Sequence, residues 1–275
     1  MSPLAWPEGR GKWSVWRFHW LIHHKIIRAL ERARPYLKGA LLDVGCGTKP
    51  FAAVFEHGLT RYWGADLPDS SFIADARGQR HAGRGPDVFA RGEALPFRDQ
   101  AFDTVLGLSM LTYLPEPVRL LEEAHRVLRP GGHLVMEFTQ MAPVHTDLRD
   151  YFRFTKDGAA LLLARAGWEP VEFIPIGGLW ARAGLAATEA LQRINRGPTR
   201  ILTELPVRAL YVGLQLWFEL LDRLFFDPNE TIAHLVVARK AGRGSATSPG
   251  ALAGSLAARA GEADPRSLPP LGSGC

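Results

Sequence analysis

The chain has 275 residues, 47% hydrophobic and 22% charged, with a formal net charge of +5. That is enough apolar material for one large core, and the length allows one or two domains. Cys46 and Cys275 lie far apart, which excludes a disulfide framework and makes a reducing compartment the expectation. No apolar run near the start reads as a secretory signal, and the greasiest stretch, 209–218, is ten residues long where a membrane span needs roughly 20. The expected location is the cytoplasm, with contact at a membrane surface as a further option.

The charge is unevenly placed. Residues 1–39 hold eight Lys or Arg against two acids, a sum of +6, so the rest sums to −1. A basic arm suits anionic lipid, nucleic acid or an acidic partner, and a solvated helix face is the plainer reading. Within it, Trp13, Trp16, Trp20, His23, Ile27 and Leu30 recur at spacings of 3 and 4. This predicts a helix over 13–34 that Pro35 stops. Its aromatic stripe would dock on the main domain, while Trp with Arg and Lys also fits an interfacial helix on anionic lipid.

From residue 40 strands and helices alternate. Strands are expected at 40–44, 61–67, 87–91, 102–108, 133–139, 168–176 and 231–240. Helices are expected from Pro50 to about His57, over 116–128, and over 155–167 with Thr155 and Gly167 as caps. "RPGG" at 129–132 signals a turn. The alternation argues for a parallel sheet covered on both faces. The organisation is then a basic, Trp-rich arm (1–39), a main domain (40–240) and a tail (241–275) too poor in large apolar groups to bury a core. Two apolar helical stretches at 178–226 interrupt the domain and read as a lid.

"LLDVGCGTKPF" (41–51) places Gly45 and Gly47 between a buried strand and a helix start. Such a loop offers backbone N–H groups and lets a ligand approach closely. Asp66 follows 19 residues after Gly47, at the end of the next strand. An acid at that distance can accept from two ribose hydroxyls. Pro50 stands where a dinucleotide fingerprint has its third glycine, and no Gly-Lys-Ser/Thr follows. A pyrophosphate is therefore disfavoured. Cys46 reads as a small packed residue rather than a nucleophile.

This loop, then "YWGADL", "GEALPFRDQAFDTVL" and "EEAHRVLRPGGHLVMEF", in that order, resembles class I S-adenosylmethionine-dependent methyltransferases over roughly residues 38–176. The resemblance implies a Rossmann-like, doubly wound, mostly parallel seven-stranded sheet with an antiparallel last strand. It also implies S-adenosylmethionine as cofactor. Asp43, Gly45, Cys46 and Gly47 would then meet its methionine end, Asp66 the ribose and Leu67 the adenine. Gly92 and Glu93 would lie at the adenine ring, and Ser109 near the sulfonium. Arg91 departs from the family, which often has an acceptor Asp there, and Tyr113 stands where many relatives place His.

The segment 139–155 resembles, more loosely, the "H…DYYRFT" stretch of methyltransferases of cell-surface glycan and lipid biosynthesis. It nominates His145 as a general base, Asp150 as its orienting partner and Tyr151 in the acceptor pocket, with an Asp150–Arg153 pair that orders the loop as the plainer alternative. The resulting expectation is methyl transfer to a small-molecule, glycan or lipid-linked acceptor, with membrane contact through arm and lid. A nucleic-acid methyltransferase is disfavoured because the body is near neutral and no base-binding motif follows the fourth strand. A non-catalytic cofactor-binding scaffold remains the third reading.

Overall fold

The computed structural model describes residues 14–68, 85–144, 149–194 and 200–240. Seven strands, β1 (Gly39–Val44), β2 (Leu59–Asp66), β3 (Val88–Phe89), β4 (Phe102–Gly107), β5 (Leu128–Thr139), β6 (Trp168–Ile176) and β7 (Ala233–Lys240), pair in the order β3-β2-β1-β4-β5-β7-β6. The first five are mutually parallel, and β7 runs antiparallel between β5 and β6. This is the doubly wound sheet with one reversed strand that the sequence implies. The chain leaves β1 for β2 on one side and returns to β4 on the other. A crevice therefore opens at the carboxyl end of β1.

Alternation along each strand feeds two cores. Leu42, Val44, Val105, Leu134 and Met136 face α3 (Pro117–Val127) and α4 (Lys156–Arg165). Leu41, Leu106, Val135, Leu235 and Val237 face α1 (Trp20–Ala33) and the short α2 (Ala52–Phe55). Thr155 caps α4 by accepting from the Gly158 N–H at 3.1 Å, and Gly167 turns the chain at φ +77°. "RPGG" does not end a strand. Phe102 pairs with Leu128 and Thr104 with His133, so residues 129–132 loop out of β5 opposite Asp103, held by Arg129 at 2.7 Å.

Two expectations change. α1 begins at Trp20, and its buried residues are Leu21, Ile26, Ala29, Leu30 and Ala33; of the expected stripe Leu30 is among them, Trp16 and Trp20 are not, and Trp13 lies outside the described residues. Trp20 stacks on His24, and Trp16 is 60% exposed. Small and branched side chains win the inner face because α1 lies directly on the sheet. The described part of the arm is thus one of the domain's covering helices. Second, no described residue of the helices α5 (Leu179–Ile194) and α6 (Arg200–Leu224) lines the carboxyl-end cavity. They are tied to α1 instead.

The tie is polar. Gln215 accepts from the Leu21 N–H (3.2 Å) and donates to the carbonyls of Val15 (3.0 Å) and Arg17 (3.2 Å), closing the start of α1. Asp222 accepts from the N–H groups of Gly178 and Ala181 at the start of α5. The Lys25 ammonium lies 2.7 Å from Glu219 and 2.8 Å from Asp222. Burial alone would raise Glu219, but hydrogen bonds from His24, Lys25 and Arg223 hold it down at about 2. One helix face thereby supplies acceptors that two helix starts lack. Asp222→Ala orphans those buried N–H groups and removes half of the pairing of the partly buried Lys25. The expected loss is about 3–5 kcal/mol in urea unfolding, and a loss below about 1 kcal/mol contradicts this role.

Candidate functional site

The crevice holds a cavity of about 390 Å³. All nine residues nominated for the cofactor line it: Asp43, Gly45, Cys46, Gly47, Asp66, Leu67, Gly92, Glu93 and Ser109. The sheet brings them together because β1, β2 and β4 end side by side.

Asp43 is the last polar group of β1 and is buried. Its Oδ2 accepts from the Tyr62 hydroxyl at 2.6 Å. Burial pushes its carboxyl up to about 7, a rise that the Tyr62 bond and the Lys49 charge restrain and the Asp66 charge reinforces. Lys49, at φ +53°, points behind the loop and sits over the Tyr62 ring and beside Asp87, which also accepts from the Gly64 N–H. The loop carries its own scaffold.

The glycine loop itself differs from expectation in one respect. The N–H groups of Gly45 and Cys46 donate to the Ala65 carbonyl (2.8 and 3.2 Å), and that of Gly47 donates to Asp66 Oδ2 (2.7 Å). They are spent within the protein, so these three do not await an anion. Gly45 has φ +72°, and a Cβ there would come within 3.1 Å of Met110. Gly92 has a packing reason of its own, since any Cβ would run into Leu120. Burial raises the Cys46 thiol far above its ordinary value, which leaves no thiolate for catalysis.

Ser109 sits at φ +51°, a left-handed backbone that costs energy outside glycine. Glu137 holds it there, accepting from its N–H (3.1 Å) and its hydroxyl (2.9 Å). Burial raises the Glu137 carboxyl, and these Ser109 bonds restrain the rise. The bend turns Met110, Tyr113 and Leu114 onto the cavity. Sequence reasoning missed Glu137, although the signal was the one that found Asp43: a single acid inside an otherwise apolar strand. Tyr62, Lys49, Asp87 and Ile26 of α1 were also missed, since no motif marks them.

On the acceptor side, Arg149 and Tyr151 line the mouth, and the Tyr151 N–H docks on the Thr112 carbonyl at 2.8 Å. Burial pushes the Tyr113 phenol up to about 12, so it stays protonated as a donor. His145 lies outside the described residues. Asp150 does not line the cavity, and both its oxygens bind the Arg153 guanidinium. Arg153 also donates to the carbonyls of Ala142 and Pro143. The bidentate fork makes Asp150 a clamp across the loop ends, the Asp150–Arg153 pair that the sequence offered as the plainer alternative, and its place relative to His145 lies outside the described residues.

Residues 42–136 match the family model of a methyltransferase domain. Over 117 residues the chain is 35% identical to an uncharacterized protein of Methanocaldococcus jannaschii, covering 42% of this chain and 51% of that one. Over 101 residues it is 42% identical to an uncharacterized methyltransferase of Mycobacterium marinum, covering 36% and 38%. The chain thus spans about half or less of the length of these curated relatives. Among solved structures it is similar to the [4+2]-cyclase SpnF (TM-score 0.51, 22% identical, 86% of each chain). It is also similar to a chain of the Haloferax volcanii complex between the Trm112 methyltransferase activator and a methyltransferase (TM-score 0.52, 21% identical, 82% and 90%). These likenesses show the fold, and the presence of a cyclase among them means the fold alone does not fix a reaction.

Tyr62→Phe removes the hydrogen bond that favours the ionised form of Asp43. Carboxyl titration followed by NMR should place Asp43 above the value of about 7 that it has with Tyr62. An unchanged or lower value contradicts the assigned coupling.

Proposed function

We propose that this chain, whose residues 42–136 match the family model of a methyltransferase domain, is a class I enzyme that transfers a methyl group from S-adenosylmethionine to a small-molecule, glycan or lipid-linked acceptor. One observation carries the reading. Two carboxylates, Asp43 and Asp66, end adjacent parallel strands on one cavity, while the loop between them has used three of its N–H groups internally. Such a site suits a ligand with a cationic end and a pair of hydroxyls, and does not suit a phosphate.

The residues fit the cofactor. Asp43 would take the amino group, since a cation beside it offsets the desolvation that now disfavours its charge. Asp66 accepts from Gly47 through Oδ2 and from the N–H of the following Leu67 through Oδ1, which holds its carboxylate at the cavity where the ribose hydroxyls would lie. Leu67, Met110 and Leu114 offer apolar flanks for the base. When bound, the cofactor supplies an electrophilic methyl on a sulfonium. The chain's task is then to hold an acceptor in line with it and keep water out. Ser109, fixed by Glu137, would mark the reacting end. Tyr113 can donate to an acceptor oxygen, and Arg149 can meet an anionic group on the acceptor. His145 would serve as base for a hydroxyl acceptor.

Incubation with methyl-labelled S-adenosylmethionine and separate small-molecule, glycan and lipid extracts tests this directly. Label should enter one extract and not the others. Asp66→Ala, with its fold checked by circular dichroism, should bind the cofactor roughly 10- to 150-fold more weakly, as loss of a charged acceptor worth about 1.5–3 kcal/mol requires. Transfer into no extract, with Asp66→Ala binding as well as the parent, contradicts the reading.

A further inference from the structure

α6 is built inside out. Its inner face is polar, with Gln215 (0% exposed), Glu219 and Asp222 (1%). Its outer face is apolar. Leu205 (81%), Leu210, Leu216, Trp217 (56%), Leu220 and Leu224 stand in solvent, and Phe225 and Phe226 continue the row past the helix end. At 3.6 residues per turn the six helical side chains fall on one stripe, with exposed Ala209 and Gly213 between them. From Leu205 to Leu224 the stripe runs roughly 30 Å. Scattered apolar groups on a surface need no explanation, but a contiguous stripe of this length does. The inner polarity is accounted for by the starts of α1 and α5. Nothing in the inner packing requires leucine and tryptophan outside.

The rim of the stripe has a definite chemistry. From Leu205 to Leu224 the exposed charged residues are Arg208 and Arg223, the latter also paired with Glu219, because the acids of that stretch, Glu219 and Asp222, are turned inward; exposed Asp227 and Glu230 follow past Phe226. The turn before α1 is pinned to α6 through Gln215 and adds exposed Trp16 and Arg17. Arg28 of α1 is also exposed. Leucines on the face, with tryptophan and arginine at its border, match a helix lying in a bilayer interface, where arginine reaches lipid phosphate and tryptophan sits at headgroup depth. Among the described residues no helix is long and apolar enough to cross a membrane, so the contact is peripheral.

The apolar surface also leads toward the cavity. Phe226 lies against Gly178, and Arg182 of α5 touches Met141. Met141 and Val144 are exposed, and the Asp150–Arg153 clamp joins their segment to Tyr151 at the mouth. A second copy on the same face fits less well. Antiparallel pairing of two α6 helices about Leu216 would set each Arg208 beside the other copy's Arg223, an interface of like charges.

We propose that the outer face of α6 seats the protein on a bilayer surface containing anionic lipid, with the helix lying in the plane of the headgroups. This does not depend on the methyl-transfer reading. The test is flotation of the full chain with vesicles of phosphatidylcholine alone and of phosphatidylcholine with phosphatidylglycerol. The chain should float with the anionic vesicles, and less so as salt rises. The double variant Leu216→Glu, Leu220→Glu, at solvent-exposed positions and with its unfolding temperature checked, should lose about tenfold or more of that binding. Brominated lipid should quench the tryptophan fluorescence of the parent, and Trp217→Phe should remove part of the quenching. No flotation with anionic vesicles, or flotation that the double variant retains, overturns the proposal. A dimer in sedimentation that the double variant dissolves, without vesicle binding by the parent, assigns the face to a second copy instead.

Discussion

A carboxylate at the end of the central strand sets the terms for the rest of the site. Asp43 belongs to β1, with parallel neighbours on both sides and a helical layer above. Water cannot solvate it well there, so its charge is disfavoured and its carboxyl rises to about 7. The surroundings are arranged to make that position tolerable: the Tyr62 hydroxyl holds one oxygen, and Lys49 brings a positive charge close without entering the cavity. A cation arriving in the cavity would complete the set. The loop beyond it is fastened by its own N–H groups, and Asp66 is fastened by the loop. In the proposed reading, recognition would therefore fall to side-chain carboxylates rather than to these backbone N–H groups.

Much of this was legible before any coordinates. The alternating elements, the acid before Gly45 and the second acid 19 residues past Gly47 pointed to one site at the switch point, with a ribose-bearing ligand as the expectation, and the cavity gathers those residues. What escaped was everything without a local pattern. Glu137 fixes Ser109 from a neighbouring strand, and Tyr62 and Asp87 act across the sheet. Pairings of this kind depend on register, which no window of sequence displays. Asp150 had two readings, a partner for His145 or an ion pair with Arg153, and the pair is formed, with the planar fork of Arg153 taking both oxygens.

The helical insertion shows why apolar content alone misleads. Residues 178–226 are rich in leucine and aromatic groups, which suggested a lid over the site. In the structure the few polar residues decide how α6 sits, because helix starts and a buried ammonium demand acceptors. The polar face goes inward, and the apolar one is left outside. The described residues of both helices stay out of the cavity lining, and the same inversion creates the surface from which membrane seating is inferred.

The central claim is that Asp43 and Asp66 seat the charged and ribose ends of S-adenosylmethionine. Calorimetric titration of the full chain with that cofactor, near pH 7 and in two buffers of different ionisation enthalpy, addresses it most directly. The account predicts one site with a Kd of about micromolar order. It also predicts a heat that differs between the buffers, because a partly protonated Asp43 ionises and releases a proton as the cation binds. Absence of binding up to millimolar cofactor would contradict it, as would binding whose heat is the same in both buffers.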